Sequence, residues 1–184
     1  MTRRLTNAGP GDPSRRPTDL DLLKDPLDFI REDHMRMRTV CAAMEQLSHS
    51  AAPDPAEVTA LLDFLDHEIG VLIRDEEDDL RALLLLRCTE EDEIAPTLER
   101  LHGEHAALEA LGPGLRAVLA GLDGARSATP EEAAQLTDFA DRLRRHLIVE
   151  NAIVLPIARA RLLEEDIVQL RDAMIRRRAA GAQG

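Results

Sequence analysis

Apolar residues recur along this 184-residue chain in steps of three and four, the period of helices that bury one stripe. A first seam reads Leu27, Ile30, His34, Met37, Cys41, Met44, and a second reads Leu62, Leu65, Ile69, Leu72, Glu76, Asp79, Leu83. A third runs Ile94, Leu98, Leu101, His105, Leu108, Gly112, Leu115, and a fourth Leu136, Phe139, Leu143, His146, Glu150, Ile153, Ile157. Asp25-Pro26, Asp54-Pro55 and Thr129-Pro130 each put a capping residue before a proline suited to a first turn, and Thr129 with Glu132 fits a capping box. Thr89 and Asp92 offer a less regular start, with Pro96 expected to distort the turns after it.

These signals predict helices over 26–48, 56–87, 91–111 and 130–155. Gly112-Pro113-Gly114 is expected to interrupt the third, which resumes through about Leu122, and Pro156 to kink or end the fourth. Short connections between long amphipathic helices specify an all-α fold, an antiparallel up-and-down four-helix bundle. An extra C-terminal helix, about Glu164 to Arg178, carries Ile167, Leu170, Met174 and Ile175 on or near one stripe. It is expected to cover the bundle's end rather than meet a second copy. The domain then spans 25–178, between a disordered leader (1–24) and a disordered tail (179–184).

Every seam is apolar except in its middle, where His34, Glu76, His105 and the pair His146 and Glu150 stand. Counting back from the turns puts His105 opposite Leu72 and His146, with His34 a turn or more out of line. Buried charge without a partner costs several kcal/mol, so these residues are expected to pair with one another in a single layer, most simply through a metal. Imidazole with carboxylate suits iron, manganese or zinc, and two inward carboxylates in a bundle suit a pair of ions. Against this stands the ordinary alternative that each histidine is a hydrogen-bonded core residue and each carboxylate a misread phase. Glu109 and His102, one turn to either side of His105, flank the seam as further candidate ligands. His49 falls at a helix end and His67 faces away. Glu77, Asp78 and Asp79 read as a solvated acidic face, with Asp79 able to support a ligand from behind.

Composition narrows the classes. The chain is 44% hydrophobic with no Trp or Tyr and three Phe, a mixture that favours helix over strand. Its net charge of −12 argues against nucleic acid, and the cluster Arg176, Arg177, Arg178 reads as a solvated helix end. No apolar run is long enough to span a membrane, the N-terminal segment lacks the apolar core of a secretory signal, and two cysteines require no disulfide. The expectation is a cytoplasmic protein, monomeric or weakly dimeric.

The motifs "EDH", "DEEDDL", "LHGEH" and "HLIVENAIVLPIARARL", in this order over about Asp25 to Met174, resemble those of the hemerythrin-like, or HHE cation-binding, domain family. The resemblance implies a four-helix bundle around a non-haem di-iron centre. It implies His34, His105 and His146 as terminal ligands, and Glu76 and Glu150 as carboxylates that bridge the ions. Glu109 occupies the place of a second histidine in the oxygen-carrying members, and Glu150 stands one residue before the place of their aspartate. This is a His/Glu variant of the pattern. Leu72 stands where the family has a histidine one turn before the glutamate of the second helix, so one ion would lose a nitrogen donor.

The leading expectation is thus a non-haem iron protein, with two ions and redox chemistry toward dioxygen, peroxide or nitric oxide. Its enzymatic form would be a weak peroxide-consuming activity, and Glu109, Glu150 and Leu72 argue against reversible oxygen transport. Two alternatives stand beside it: a sensor or interaction module whose folding reports on iron or oxygen, and a degenerate bundle holding one metal or none.

Overall fold

The structure, a computed structural model, describes residues 17–122 and 126–181. The bundle is built from α1 (Pro26–Ser48), α2 (55–87), α3 (Ile94–Ala120) and α4 (130–161), with α5 (Glu164–Gly181) laid against its flank. Each bundle helix packs on two neighbours in the cyclic order α1, α4, α3, α2, the arrangement that short connections enforce on successive antiparallel helices. No strand occurs among the described residues, and no helix there is long and apolar enough to cross a membrane.

The helix starts follow the local chemistry. Asp25 accepts from the backbone N–H groups of Leu27 and Asp28, Asp54 accepts from that of Ala56, and Thr129 with Glu132 closes a reciprocal box. The start after Cys88 differs from the prediction. Thr89 and Asp92 do form a box, but it closes only a short 3₁₀ turn, Glu90–Asp92. Glu93 then takes a left-handed conformation (φ 46°), and α3 begins at Ile94 with Pro96 in its first turn, where no N–H is needed.

Neither predicted break ends its helix. Gly112-Pro113-Gly114 lies inside an unbroken α3, because Leu108, Gly112 and Leu115 are all buried against neighbours while Pro113 and Glu109, whose carbonyl loses its donor, sit on the exposed flank. Pro156 does not end α4 either. A π turn, Glu150–Val154, widens the helix just before it and so gives the ring room, and the helix resumes over Leu155–Arg161. Two more π turns, Phe64–Glu68 and Asp75–Leu80, interrupt α2.

Each π turn adds a residue; the predicted seam of α2 stays buried through Ile69, Leu72 and Glu76 after the first, and positions slip after the other two. In α3, which has none, every predicted seam position is buried. In α4 the predicted Ile153 is 39% exposed, and Val154 and Ala158 take the inward places. In α2 Leu80 and Leu84 are buried beyond Glu76, while Asp79 turns outward to Arg177.

Helix α5 covers the flank along α1 and the second widened turn of α2, burying Leu170 and Met174 completely and leaving Ile175 exposed. Asp166 ties its start to Arg87 through two bonds of 2.8 and 2.9 Å. At its other end Arg177 and Arg178 both grip Asp75, a carboxylate with no exposed surface, and Arg178 also lies over the ring of Phe29. These two arginines are therefore not the solvated helix end that their clustering suggested; Arg176 alone is exposed. The predicted leader is also shorter than expected. Leu20–Lys24 forms a 3₁₀ turn that buries Leu23, and Thr18 bonds to Asp33. Residues 1–16 of the leader, 182–184 of the tail and 123–125 of the turn before α4 lie outside the described residues.

Candidate metal centre

The polar layer forms where the seams placed it. His34 from α1, Glu76 from α2, His105 from α3, and His146 with Glu150 from α4 are all 6% exposed or less. Both carboxylates sit on π turns. The carbonyl of Glu76 accepts from the N–H of Arg81, and that of Glu150 from the N–H of Leu155, so each acid stands where its helix widens. Asn151, the residue after Glu150 in "HLIVENAIVLP", supports this by donating its side-chain amide to the Leu147 carbonyl at 2.7 Å. In the other widened turn of α2, Arg116 from α3 donates to the carbonyl of Leu65 at 2.5 Å.

One donor atom from each of Glu76, His105, His146 and Glu150 lies within 4.8 Å of the others. His146 Nε2 is 3.2 Å and His105 Nε2 3.8 Å from Glu150 Oε1, and His105 Nε2 is 3.2 Å from Glu76 Oε2. Neither Nε2 makes a hydrogen bond, although both are buried. Buried ring nitrogens without hydrogen-bond partners, facing two carboxylates, are a donor set that could hold a cation. His34 stands on the other side of the acids, its Nε2 2.9 Å from Glu76 Oε1 and 3.3 Å from Glu150 Oε2.

Leu72 is 2% exposed and lines a cavity of about 10 Å³ beside the layer, with Met37, Leu108 and Leu143 among its walls. That is room for about one water-sized molecule. Glu109 is not brought to the cluster: one turn beyond His105 it comes round to the exposed flank, where it lines a separate depression with His67 and Arg116, and Leu108 takes the inward place. His102 is exposed as well and does not reach the layer.

Two acids that sequence reasoning passed over stand behind the layer. Glu77 Oε1 accepts from His105 Nδ1 at 2.5 Å, so Glu77 is not part of a solvated face. Glu104 Oε2 accepts from His146 Nδ1 at 2.9 Å. The available signal was position: each is adjacent in sequence to an inward residue, on the flank turned toward the next helix.

Electrostatics tie the layer together. Burial alone pushes His34 down, but the charge of Glu150 and the bond to Glu76 raise it from 6.5 to about 9. His105 behaves alike: burial lowers it, and the Glu76 carboxylate at its edge lifts it to about 9. Burial also lowers His146, and Glu150 more than offsets this. Burial raises Glu76, but the imidazoles of His105 and His34 pull it well below the usual carboxylate range.

A stability prediction follows for the metal-free chain. Folding raises the two histidine pKa values, so their contribution is fully present below 6.5 and disappears as pH climbs through about 9. The midpoint of denaturant unfolding should fall between about pH 6.5 and pH 9.5; a flat or rising midpoint would contradict this account of the layer.

No curated protein and no solved structure matches this chain. The family comparison does: the profile of the hemerythrin HHE cation-binding domain matches residues 25–158, most of the bundle. With that match over a helical bundle whose facing acids and imidazoles converge, the chain belongs to the hemerythrin HHE cation-binding domain family.

Proposed function

We propose that this protein is a non-haem iron protein whose centre reacts with dioxygen, peroxide or nitric oxide. The observation that carries this is the convergence of Glu76, His105, His146 and Glu150, with two buried ring nitrogens that lack hydrogen-bond partners. These four residues would hold the first ion. His34 and the remaining oxygens of Glu76 and Glu150 would hold a second, more weakly, because Leu72 supplies no donor and Glu109 faces away. Bound iron would supply one-electron redox chemistry and an open position for a small ligand. Beside it Met37, Leu72, Leu108 and Leu143 wall a cavity of only about 10 Å³, which favours diatomics or peroxide over larger substrates. Peroxide consumption would be the enzymatic form. Two free cysteines and the charge of −12 fit a reducing, cytoplasmic setting without nucleic-acid partners, and no second copy is needed to complete the site.

Metal content and the visible spectrum of protein purified in air test this. One tight ion and a second that dissociates on dilution are expected, and Leu72→His should tighten the second. Chelation should also lower Tm. Saturation at about 100 times Kd adds about 2.7 kcal/mol, or roughly 5–10 °C for a domain of this size. A wild-type chain that takes up no metal after anaerobic loading with ferrous iron, and whose Tm ignores chelators, would overturn the proposal.

A second reading, a sensor whose state a partner reads, has one observation of its own. Asp75, adjacent to Glu76 on the same π turn, is held by α5, so a change at Glu76 has a short mechanical route to an outer helix. Metal-dependent protease sensitivity of α5 without peroxide turnover would favour it.

A further inference from the structure

Glu77 and Glu104 form a second tier of charge behind the four inner residues. Each belongs to the helix next to the histidine it grips. Glu77 of α2 holds His105 of α3, and Glu104 of α3 holds His146 of α4, at 2.5 and 2.9 Å. A carboxylate only accepts, so the Nδ1 of each imidazole carries a hydrogen, and Nε2 is the nitrogen that gives up its proton and offers a lone pair when a metal binds. It is those two Nε2 atoms that are buried without a hydrogen-bond partner and face Glu76 and Glu150.

Neither acid is needed to close a buried polar network of the fold. Their side chains are 17% and 37% exposed, and their other contacts run outward. Glu77 Oε2 accepts from the exposed His102 at 2.8 Å, with Arg81 3.9 Å away, and Glu104 lies 3.8 Å from Arg100. Water could satisfy either acid. What only they supply is the orientation and tautomer of the two rings, together with negative charge behind them.

We infer that Glu77 and Glu104 are positioning residues that lock the Nε2 lone pairs of His105 and His146 on the metal position and bias bound iron toward its ferric state. The inference rests on the iron-binding reading proposed above. The bias is a charge argument. Two acids behind neutral imidazoles make them stronger donors and favour the more highly charged ion, so the centre would give up an electron readily and suit reduction of peroxide or dioxygen more than reversible carriage.

The test uses the full-length chain carrying Glu77→Ala, Glu104→Ala and the matching glutamine substitutions, with Asp78→Ala as the exposed acidic control. Metal-free protein is titrated with cobalt(II), whose absorption reports both affinity and geometry, and the iron-loaded form is taken through a spectroelectrochemical titration. Each alanine variant should bind cobalt about 10- to 100-fold more weakly with little change in the metal-free unfolding midpoint, and Asp78→Ala should bind as wild type. Glutamine, which keeps an acceptor oxygen but no charge, should recover most of the cobalt affinity while its iron midpoint potential stays above wild type. Wild-type affinity and potential in all four Glu77 and Glu104 variants would overturn this inference and leave the iron reading standing. A wild-type chain that binds neither cobalt nor iron would overturn both.

Discussion

Glu150→Gln is expected to weaken metal binding by more than about 100-fold, the largest functional loss any single isosteric change should cause in this chain. The estimate starts from the general observation that residues behind a ligand cost about 10- to 100-fold when lost, so a ligand that faces every imidazole of the layer must cost more. Glu150 lies 3.2 Å from His146, 3.3 Å from His34 and 3.8 Å from His105, and among the described residues no other acid makes an ion pair with all three. Its volume is kept by glutamine, so the cavity term vanishes and only the charge is removed. Calorimetric titration with ferrous iron under anaerobic conditions measures the loss. The alanine variant adds a stability effect: histidines held charged by Glu150 lose their partner, at about 3–5 kcal/mol in the metal-free protein near neutral pH. If Glu150→Gln binds iron like wild type, the carboxylate is not a ligand and the centre must be drawn around Glu76 alone.

How much of this could be read from the sequence depended on which residues interrupt regular helix. α1 and α3 follow a plain 3.6-residue period, and their seams, including His34 and His105, are buried as the spacing requires. Glu76 and Glu150 were also placed correctly, and so was Leu83, but Asp79 and Ile153, the next position beyond each acid, were not, because a π turn leaves no mark in apolar spacing until after it has shifted the seam. Ile153 and Asp79 looked inward on paper for that reason, and His34 looked misaligned although it touches both acids. Proline rules misled for a related cause: at Pro156 the widened turn provides the space that a regular helix lacks, and at Pro113 packing on both sides of the break outweighs one lost hydrogen bond.

Charge was harder to read than hydrophobicity. Glu77, Asp78 and Asp79 of "DEEDDL" looked like a solvated face, yet the acids of that stretch divide by direction: Asp75 into the grip of α5, Glu76 into the layer, Glu77 to His105, Asp79 to Arg177, and only Asp78 stays mostly in water. An acid's partner lies on another helix, and single-helix phasing does not reveal it. Glu109 failed in the opposite sense. Its sequence place was suggestive, but Leu108 takes the inward place and Glu109 lies on the exposed flank with His67 and Arg116.

Removing both arginines that hold Asp75, as Arg177→Ala with Arg178→Ala, should destabilise the protein by about 3–5 kcal/mol and free the end of α5. Asp75 has no exposed surface, and burial already pushes its carboxyl above the usual range despite the two guanidinium groups. Without them the carboxylate must take up a proton or draw in water, and the second requires the helix that covers it to lift. Arg178 would also give up its place over Phe29, at 4.7 Å from the ring centre. The charge explanation makes a further demand. Adding Asp75→Leu to the double variant removes the stranded carboxylate, so much of the lost stability should return even though no ion pair is restored. Chemical denaturation of the three proteins, with limited proteolysis of α5, measures both parts. Recovery in the triple variant would mean that Asp75 and its arginines are retained to fix where α5 docks beside Glu76, since an apolar contact would hold the helix as firmly. A triple variant no more stable than the double would place the stabilisation in the packing of the arginine side chains themselves, and the link from Glu76 through Asp75 to α5 would lose its basis.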